Sequence, residues 1–336
     1  MMRRLLSSKR FFPSIALLSV MKRGYTQMEK WRSMLHAVKA VAIILSIIWA
    51  TPALAQVALK LPYTPHKVLG GGGLELAVQE WGNPEGPPIL LIHGFSQGHL
   101  SWAKQSTSEL ANEFRIITMD IRGHGASAKP LEMEKYTDSK FWADDVAAVI
   151  KSLGLKKPVL VGWSYGGFII LDYIRYHGDR DIAGINLVGA AVDMGIEERN
   201  TQVGEGVSTF GAMCSPDPMA NITGTISFLK RCFAKPISEE EFNTILAYNM
   251  MVPPEVRRGL LSRVINNEDI FGKINVPVLI THGRADIVVL PTTTENIIGK
   301  IRGATPSFYH GVGHSPFAED PVRFNRELAE FTKKVR

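Results

Sequence analysis

Cysteine is nearly absent from the chain: Cys214 and Cys232 are the only two among 336 residues. At most one disulfide can form, and spacing alone leaves a bridge between them open. No set of Cys, His, Asp and Glu has the spacing of a metal site, so neither a metal nor an organic cofactor is expected. The glycine run at 70–73 is not followed by Lys-Ser/Thr, which argues against a phosphate-binding loop. No apolar run reaches the roughly 20 residues of a comfortable membrane span. A basic surface is missing as well. The formal net charge is +6, but residues 1–55 carry nine Lys/Arg against one acid, Glu29, and removing that surplus of +8 leaves −2 for residues 56–336. A near-neutral body gives no expectation of a nucleic-acid partner.

What is present at the N-terminus has the order of an address. Lys30, Arg32 and Lys39 precede a short apolar core at 40–49, then Thr-Pro-Ala-Leu-Ala-Gln with the small residues Ala53 and Ala55 at A-x-A spacing. The expectation is export, periplasmic or secreted, with cleavage after Ala55 and a mature start at Gln56. The alternative is an uncleaved N-terminal anchor, the one way a membrane would enter. The basic stretch before Met28 leaves open a later start at Met28 or Met34, a long leader, or an organellar transit peptide.

Beyond the leader, 45% hydrophobic residues suffice for a sizeable core. Apolar strand-like runs at 66–69, 74–81, 89–92, 114–119, 159–162, 182–191, 276–282 and 306–310 are separated by helical patterns at 100–111, 139–153, 168–174, 292–301 and 321–334. That alternation predicts an α/β fold with a mostly parallel sheet covered by helices on both faces. The glycines at 70–73 suit a hairpin between the first two strands. From 193 to 271 no buried-strand run occurs, only amphipathic stretches rich in methionine (Met194, Met213, Met219, Met250, Met251). The expected organisation is therefore a leader (1–55), a first core part (56–192), a helical cap (193–271) that packs and lines an apolar pocket, and a second core part (272–336).

The chemistry centres on Gly-Trp-Ser-Tyr-Gly at 162–166, between an apolar strand and a helix. This is the G-x-S-x-G pattern of a nucleophile elbow, in which the glycines let the chain reverse sharply and lift Ser164 to the helix N-terminus. A serine hydroxyl needs a base, and the base an orienting acid. His314 in Gly-Val-Gly-His-Ser and Asp286 in His-Gly-Arg-Ala-Asp both follow predicted strands, in the expected order Ser, Asp, His. Asp193, after the strand at 182–191, is the rival acid. The backbone N–H groups of Phe95 and Tyr165 are the expected oxyanion donors. His93 reads as a loop brace, and Asp120, Arg122 and His124 as a hydrogen-bonded turn under the site. Asn-Ile-Thr at 221–223 fits a glycosylation acceptor.

Taken in order, His-Gly-Phe-Ser-Gln-Gly (93–98), Asp-Ile-Arg-Gly-His-Gly-Ala-Ser (120–127), the elbow, His-Gly-Arg-Ala-Asp (282–286) and Gly-Val-Gly-His-Ser-Pro-Phe (311–317) resemble the ordered motifs of the α/β-hydrolase superfamily. The likeness runs from about residue 68 to the C-terminus and lapses across the cap. It is nearest to cap-bearing esterases and cofactor-free haloperoxidase-like (perhydrolase) enzymes. Haloalkane dehalogenases and epoxide hydrolases carry aspartate at the elbow, where this chain has Ser164. The resemblance implies a carboxylesterase acting on a small-molecule ester of small to medium hydrophobic size through an acyl-enzyme. Alternatives are acyl transfer to peroxide, C–C or amide cleavage on the same triad, and a ligand-binding protein that has lost turnover.

Overall fold

The computed structural model describes residues 62–195 and 202–336, so the leader and its expected cleavage point lie outside the described residues. Eight strands form one sheet: β1 (Thr64–Leu69), β2 (Glu75–Gly82), β3 (Pro88–Ile92), β4 (Arg115–Met119), β5 (Val159–Trp163), β6 (Gly184–Val188), β7 (Val278–Gly283) and β8 (Thr305–Tyr309), in the order β1-β2-β4-β3-β5-β6-β7-β8. The β1–β2 hairpin and the β2–β4 pair are antiparallel, and every other neighbour is parallel. In β3, β5, β6 and β7 every residue is buried, which is why those strands are mostly apolar in the sequence; the polar Asn186 and Thr281 inside them bond to each other (3.0 Å). β8 lies at an edge, where Pro306 is tolerated because its missing donor breaks no central ladder.

The pleat sorts side chains into two cores. Leu90, Ile92 and Leu160 face one layer with Trp142, Val146 and Phe168, while Ile89, Leu91, Val159 and Val161 face another with Phe324 and Leu328. The first layer is built from α1 (Ser139–Ser152) and α2 (Tyr165–His177), and the second from α7 (Pro321–Lys334). Their ends are written locally. Asp138 caps α1 by accepting from Lys140 N, and Gly154 at φ 60 turns the chain after it. Asp320 caps α7, with Pro321 in its first turn.

Between β6 and β7 the chain inserts α3 (Pro218–Arg231), α4 (Glu239–Met250) and α5 (Pro254–Leu261), preceded by a short turn-and-helix at 205–213. A two-residue bridge, Met194 with Ile265, closes its base. The last helix before β8 is α6 (Pro291–Ile298). Strand order reverses between β3 and β5, so the loops that leave their C-terminal ends run to opposite sides and leave a crevice. That crevice is where Phe95 and Ser164 lie.

Two expectations change and one open question closes. The helix predicted over 100–111 is broken into short turns (His99–Trp102, Ala103–Ser106, Leu110–Glu113), because the Thr107 and Ser108 hydroxyls bond back to Ala103 O and Gln105 O. The methionines pack less than their number suggests: Met213 is buried, while Met219, Met250 and Met251 are exposed. Cys214 and Cys232 are both free thiols, the second buried.

Candidate active site

Ser164 sits at φ 54, ψ −115, a strained setting for a residue with a side chain, at the turn from β5 into α2. The glycines around it are required by contact. A Cβ on Gly162 would meet Gly166 O at 2.6 Å, and one on Gly166 would meet Ile92 O at 2.5 Å. Ser164 N donates to Val188 O (2.9 Å), anchoring the elbow to the end of β6. The next residue, Gly189 (φ 49), lies against the other half of the site: its Cβ position is 3.3 Å from His314 Nδ1 and 3.4 Å from Asp286 Oδ2.

His314 Nδ1 is 2.7 Å from Asp286 Oδ2, and both side chains are buried. Asp286 Oδ1 accepts from Val288 N (2.8 Å) and Val289 N (3.1 Å). Burial alone would raise this carboxyl, but His314 opposite it and hydrogen bonds from His282 and His314 outweigh burial and bring it down to about 2. It is therefore ionised at any working pH, and an ionised acceptor fixes the proton of His314 on Nδ1. His314 Nε2 is left buried without a hydrogen-bond partner. No hydrogen bond joins it to Ser164 among the described residues. Asp193, the rival acid, is engaged elsewhere: it accepts from Gln202 Nε2 (3.1 Å) and Asn267 N (2.8 Å).

The two loops that carry Asp286 and His314 interlock. Arg284 N donates to Tyr309 O (2.8 Å) and Ala285 N to Val312 O (2.9 Å). Gly283 is so close to the histidine loop that a Cβ would fall 2.0 Å from Gly313 O. Trp163 Nε1 donates to His314 O (2.8 Å), and the Trp163 and His314 rings lie 5.5 Å apart.

Facing Ser164 is the loop after β3. A Cβ on Gly94 would stand 3.0 Å from Ser164 Cβ and 3.2 Å from Trp163 O, so only glycine lets this backbone pass. Phe95 N–H and Tyr165 N–H donate to no protein acceptor among the described residues. His93 braces the loop: Nδ1 lies 2.9 Å from Gly94 O and Nε2 accepts from Ile121 N (3.1 Å). These roles need a neutral ring, and burial pushes its pKa down to about 4. His124 is likewise buried, far below its ordinary pKa, and its Nε2 accepts from Ser96 N (3.1 Å). Arg122 turns away to Asp145 (2.7 Å), and Asp120 holds His99 and Ala126 N. The turn at 120–127 thus supports the site floor.

Other supports emerge only in three dimensions. His282 bonds Thr294 Oγ1 and Val289 O, and stands 3.2 Å from Asp286 Oδ2. Glu319 accepts from Gly313 N (2.9 Å), Ser315 N (3.4 Å) and Ala234 N (2.8 Å), tying the histidine loop to the insertion. Two arginines of the insertion, Arg257 and Arg263, are buried beside the same region. Asn221 is 4% exposed and is bonded to Arg257 and Ser215 O, so the folded chain presents no acceptor there for a glycan.

A cavity of about 380 Å³ adjoins the site, between the core and the insertion. Trp163 and Ser315, the chain neighbours of Ser164 and His314, form part of its wall, with Gln97, Leu229, Tyr248 and Phe317 among the rest. None of the five insertion methionines lines it. Among the described residues no group of three His, Cys, Asp or Glu side chains is placed to hold a metal ion.

Residues 87–212 match the family model for the α/β hydrolase fold. An esterase from Rhodococcus sp. ECU1013 superposes with a TM-score of 0.77 at 32% identity, over 81% of this chain and 99% of that one. The chain belongs to the α/β-hydrolase superfamily. Within it, this hydrolase lies in the esterase and non-heme haloperoxidase branch. It is 26% identical to a non-heme haloperoxidase of Rhodococcus erythropolis, over 79% of this chain and 98% of that protein. It is 28% identical to an AB hydrolase superfamily protein of Bacillus subtilis, over 74% of this chain and 92% of its relative. Such relatives support an enzyme of hydrolase type.

Proposed function

We propose that the protein is a serine carboxylesterase in which Ser164, His314 and Asp286 form the catalytic triad. The observation that carries this is the state of His314: one ring nitrogen fixed by Asp286 and the other buried, unpartnered and beside the elbow. His314 Nε2 takes the Ser164 proton as Oγ attacks the ester carbonyl. The oxyanion then forms against the N–H groups of Phe95 and Tyr165, reinforced by the N-terminus of α2. Collapse expels the alcohol with the proton held by His314, and water repeats the sequence to release the acid. The wall of the adjoining cavity, with Trp163, Leu229 and Phe317, suits a small to medium hydrophobic acyl or alcohol group.

The test is turnover of p-nitrophenyl esters of graded acyl length by the wild type and by Ser164→Ala, with fluorophosphonate labelling of both. Turnover and labelling that vanish in the variant support the esterase. An unlabelled, inactive wild type refutes it and leaves a ligand-binding protein. Labelling without ester turnover directs the search to amide and C–C substrates.

Likeness to the Rhodococcus erythropolis haloperoxidase favours a second activity, acyl transfer to peroxide at the same triad. Added hydrogen peroxide should then divert product from acid to peracid. We propose also that residues 1–55 are an export leader; mass spectrometry of the exported protein should find Gln56 at its N-terminus.

A further inference from the structure

Arg257, on α5, is fully buried and has no carboxylate partner among the described residues. Its guanidinium donates instead to five neutral oxygens: Ser96 Oγ (2.9 Å), Met213 O (2.8 Å), Asn221 Oδ1 (2.7 Å), Thr225 Oγ1 (3.2 Å) and Asn249 O (2.6 Å). A buried charge is costly unless it is hydrogen-bonded, and these acceptors supply that compensation. Met213 O and Asn249 O lie at helix C-terminal ends, where the outward carbonyls favour a cation, although Asn249 O also accepts from Val252 N (3.1 Å). Asn221 and Thr225 lie one turn apart on α3. One side chain therefore gathers the short helix Phe210–Met213, α3 and α4 of the insertion.

Its fifth bond leaves the insertion. Ser96 immediately follows Phe95 in the loop after β3 and is held at φ 61, a left-handed setting that needs support in a residue with a Cβ. Its N–H goes to His124 and its hydroxyl to Arg257. Arg263, just past α5, does the parallel service at Tyr165, donating to its hydroxyl (3.2 Å), but Arg263 is paired with Asp172.

We propose that Arg257 is a positioning residue for the oxyanion hole: by clamping Ser96 it aims the Phe95 N–H, so that catalysis requires the assembled insertion. The inference deepens the acyl-enzyme function proposed above and rests on it for its kinetic consequence. Ser96 and Arg257 touch no reacting atom. Their effect passes through the direction of one backbone N–H, which matters in the transition state more than in the bound substrate.

The experiment compares the wild type, Ser96→Ala, Arg257→Lys and the double variant in the full chain. It reads kcat and KM on a p-nitrophenyl ester, melting temperature, and amide hydrogen exchange of residues 94–98. Ser96→Ala cuts only the link, so kcat should fall about tenfold, short of the loss of a whole donor. KM should stay within about twofold and the melting temperature within a few degrees. Arg257→Lys should lower kcat at least as far and also lower the melting temperature. The double variant should fall no further than Arg257→Lys, the non-additivity of a shared path. Exchange at 94–98 should rise about tenfold in both single variants. Wild-type kcat in Ser96→Ala, or losses that multiply in the double variant, would overturn the proposal. An inactive wild type would refute the esterase instead. The exchange arm then decides the clamp alone, with unchanged protection at 94–98 in both variants overturning it.

Discussion

Strands β3, β5, β6 and β7 hold their loops in place through backbone pairing and bury every residue, so the loops that bear Phe95, Ser164 and Asp286 leave a rigid edge. Helices α3, α4 and α5 have no such ladder. They are joined through side chains, with Arg257 and Arg263 as the buried cations and Lys104–Glu241 (2.7 Å) as a tie from the core to α4. The difference teaches where precision comes from in each half. The sheet fixes positions by geometry that any apolar sequence of the right pattern can adopt, whereas the insertion depends on particular polar atoms that fail singly.

That contrast can be broken most decisively on the sheet side. Replacing Ser164 or His314 by alanine should lower kcat by about 10⁴-fold or more with little change in folding. Asp286→Asn should cost about 10⁴-fold, since the wrong histidine tautomer follows. Activity within tenfold of wild type in any of the three, read by ester hydrolysis, would remove that residue from the triad. Gly283→Ala comes next. Its Cβ would collide with the backbone of the histidine loop, and a displacement of about 1 Å at His314 should cost about 100-fold in kcat. Unchanged kcat would mean that the interlocked loops have slack.

On the insertion side, Arg263→Met should destabilise the protein by about 3–5 kcal/mol, because Asp172 is left buried without its partner. Urea unfolding measures it, and a loss below about 1 kcal/mol would show that the insertion does not lean on this pair. Acid offers a gentler probe. His93 is held neutral in the fold with a pKa near 4, so the unfolded chain binds the extra proton first as pH falls below the ordinary value of 6.5. His124, also depressed, adds in the same direction. The two histidines should therefore cost stability from about pH 6.5 towards pH 4, Asp172, raised to about 6 by burial, should offset part of that over the same range, and the Asp286 contribution should go only below it, as pH falls from 3.8 towards 2. The check is the melting-temperature difference between the wild type and His93→Asn: a difference that stays constant from pH 7 to 4.5 would contradict the neutral brace. The smallest effect is expected at Met219, 69% exposed: Met219→Gln should change stability by no more than about 0.5 kcal/mol.

The same contrast explains what the sequence could show. The sharp turn at Ser164 was legible because glycines on both sides and a strand-to-helix change are local facts. The placement of Asp286 and His314, each in a loop after a strand, was legible because both follow apolar runs. That Asp193 bonds to Gln202 and Asn267, while Asp286 meets His314, emerges only in three dimensions. Arg257 left no trace: it is one of 38 Lys/Arg, and its partner Ser96 lies 161 residues away. Glu319 was invisible for the same reason, since its partners are backbone groups; His282 stood in a quoted motif, but its bonds to Thr294 and Val289 did not show there. The predicted helix over 100–111 failed for the opposite reason, local hydroxyls overriding a plausible periodicity.

The burial of Asn221 bears on how the protein should be produced. In a eukaryotic secretory host, oligosaccharide is attached to the nascent chain before it folds, when Asn-Ile-Thr at 221–223 is still exposed. A sugar on Asn221 would occupy the space that Arg257 needs, and the tagged chain would be retained by the cell's quality control as a misfolded one. A host without that machinery avoids the trap, as does Thr223→Ala, which erases the acceptor and leaves the asparagine in place.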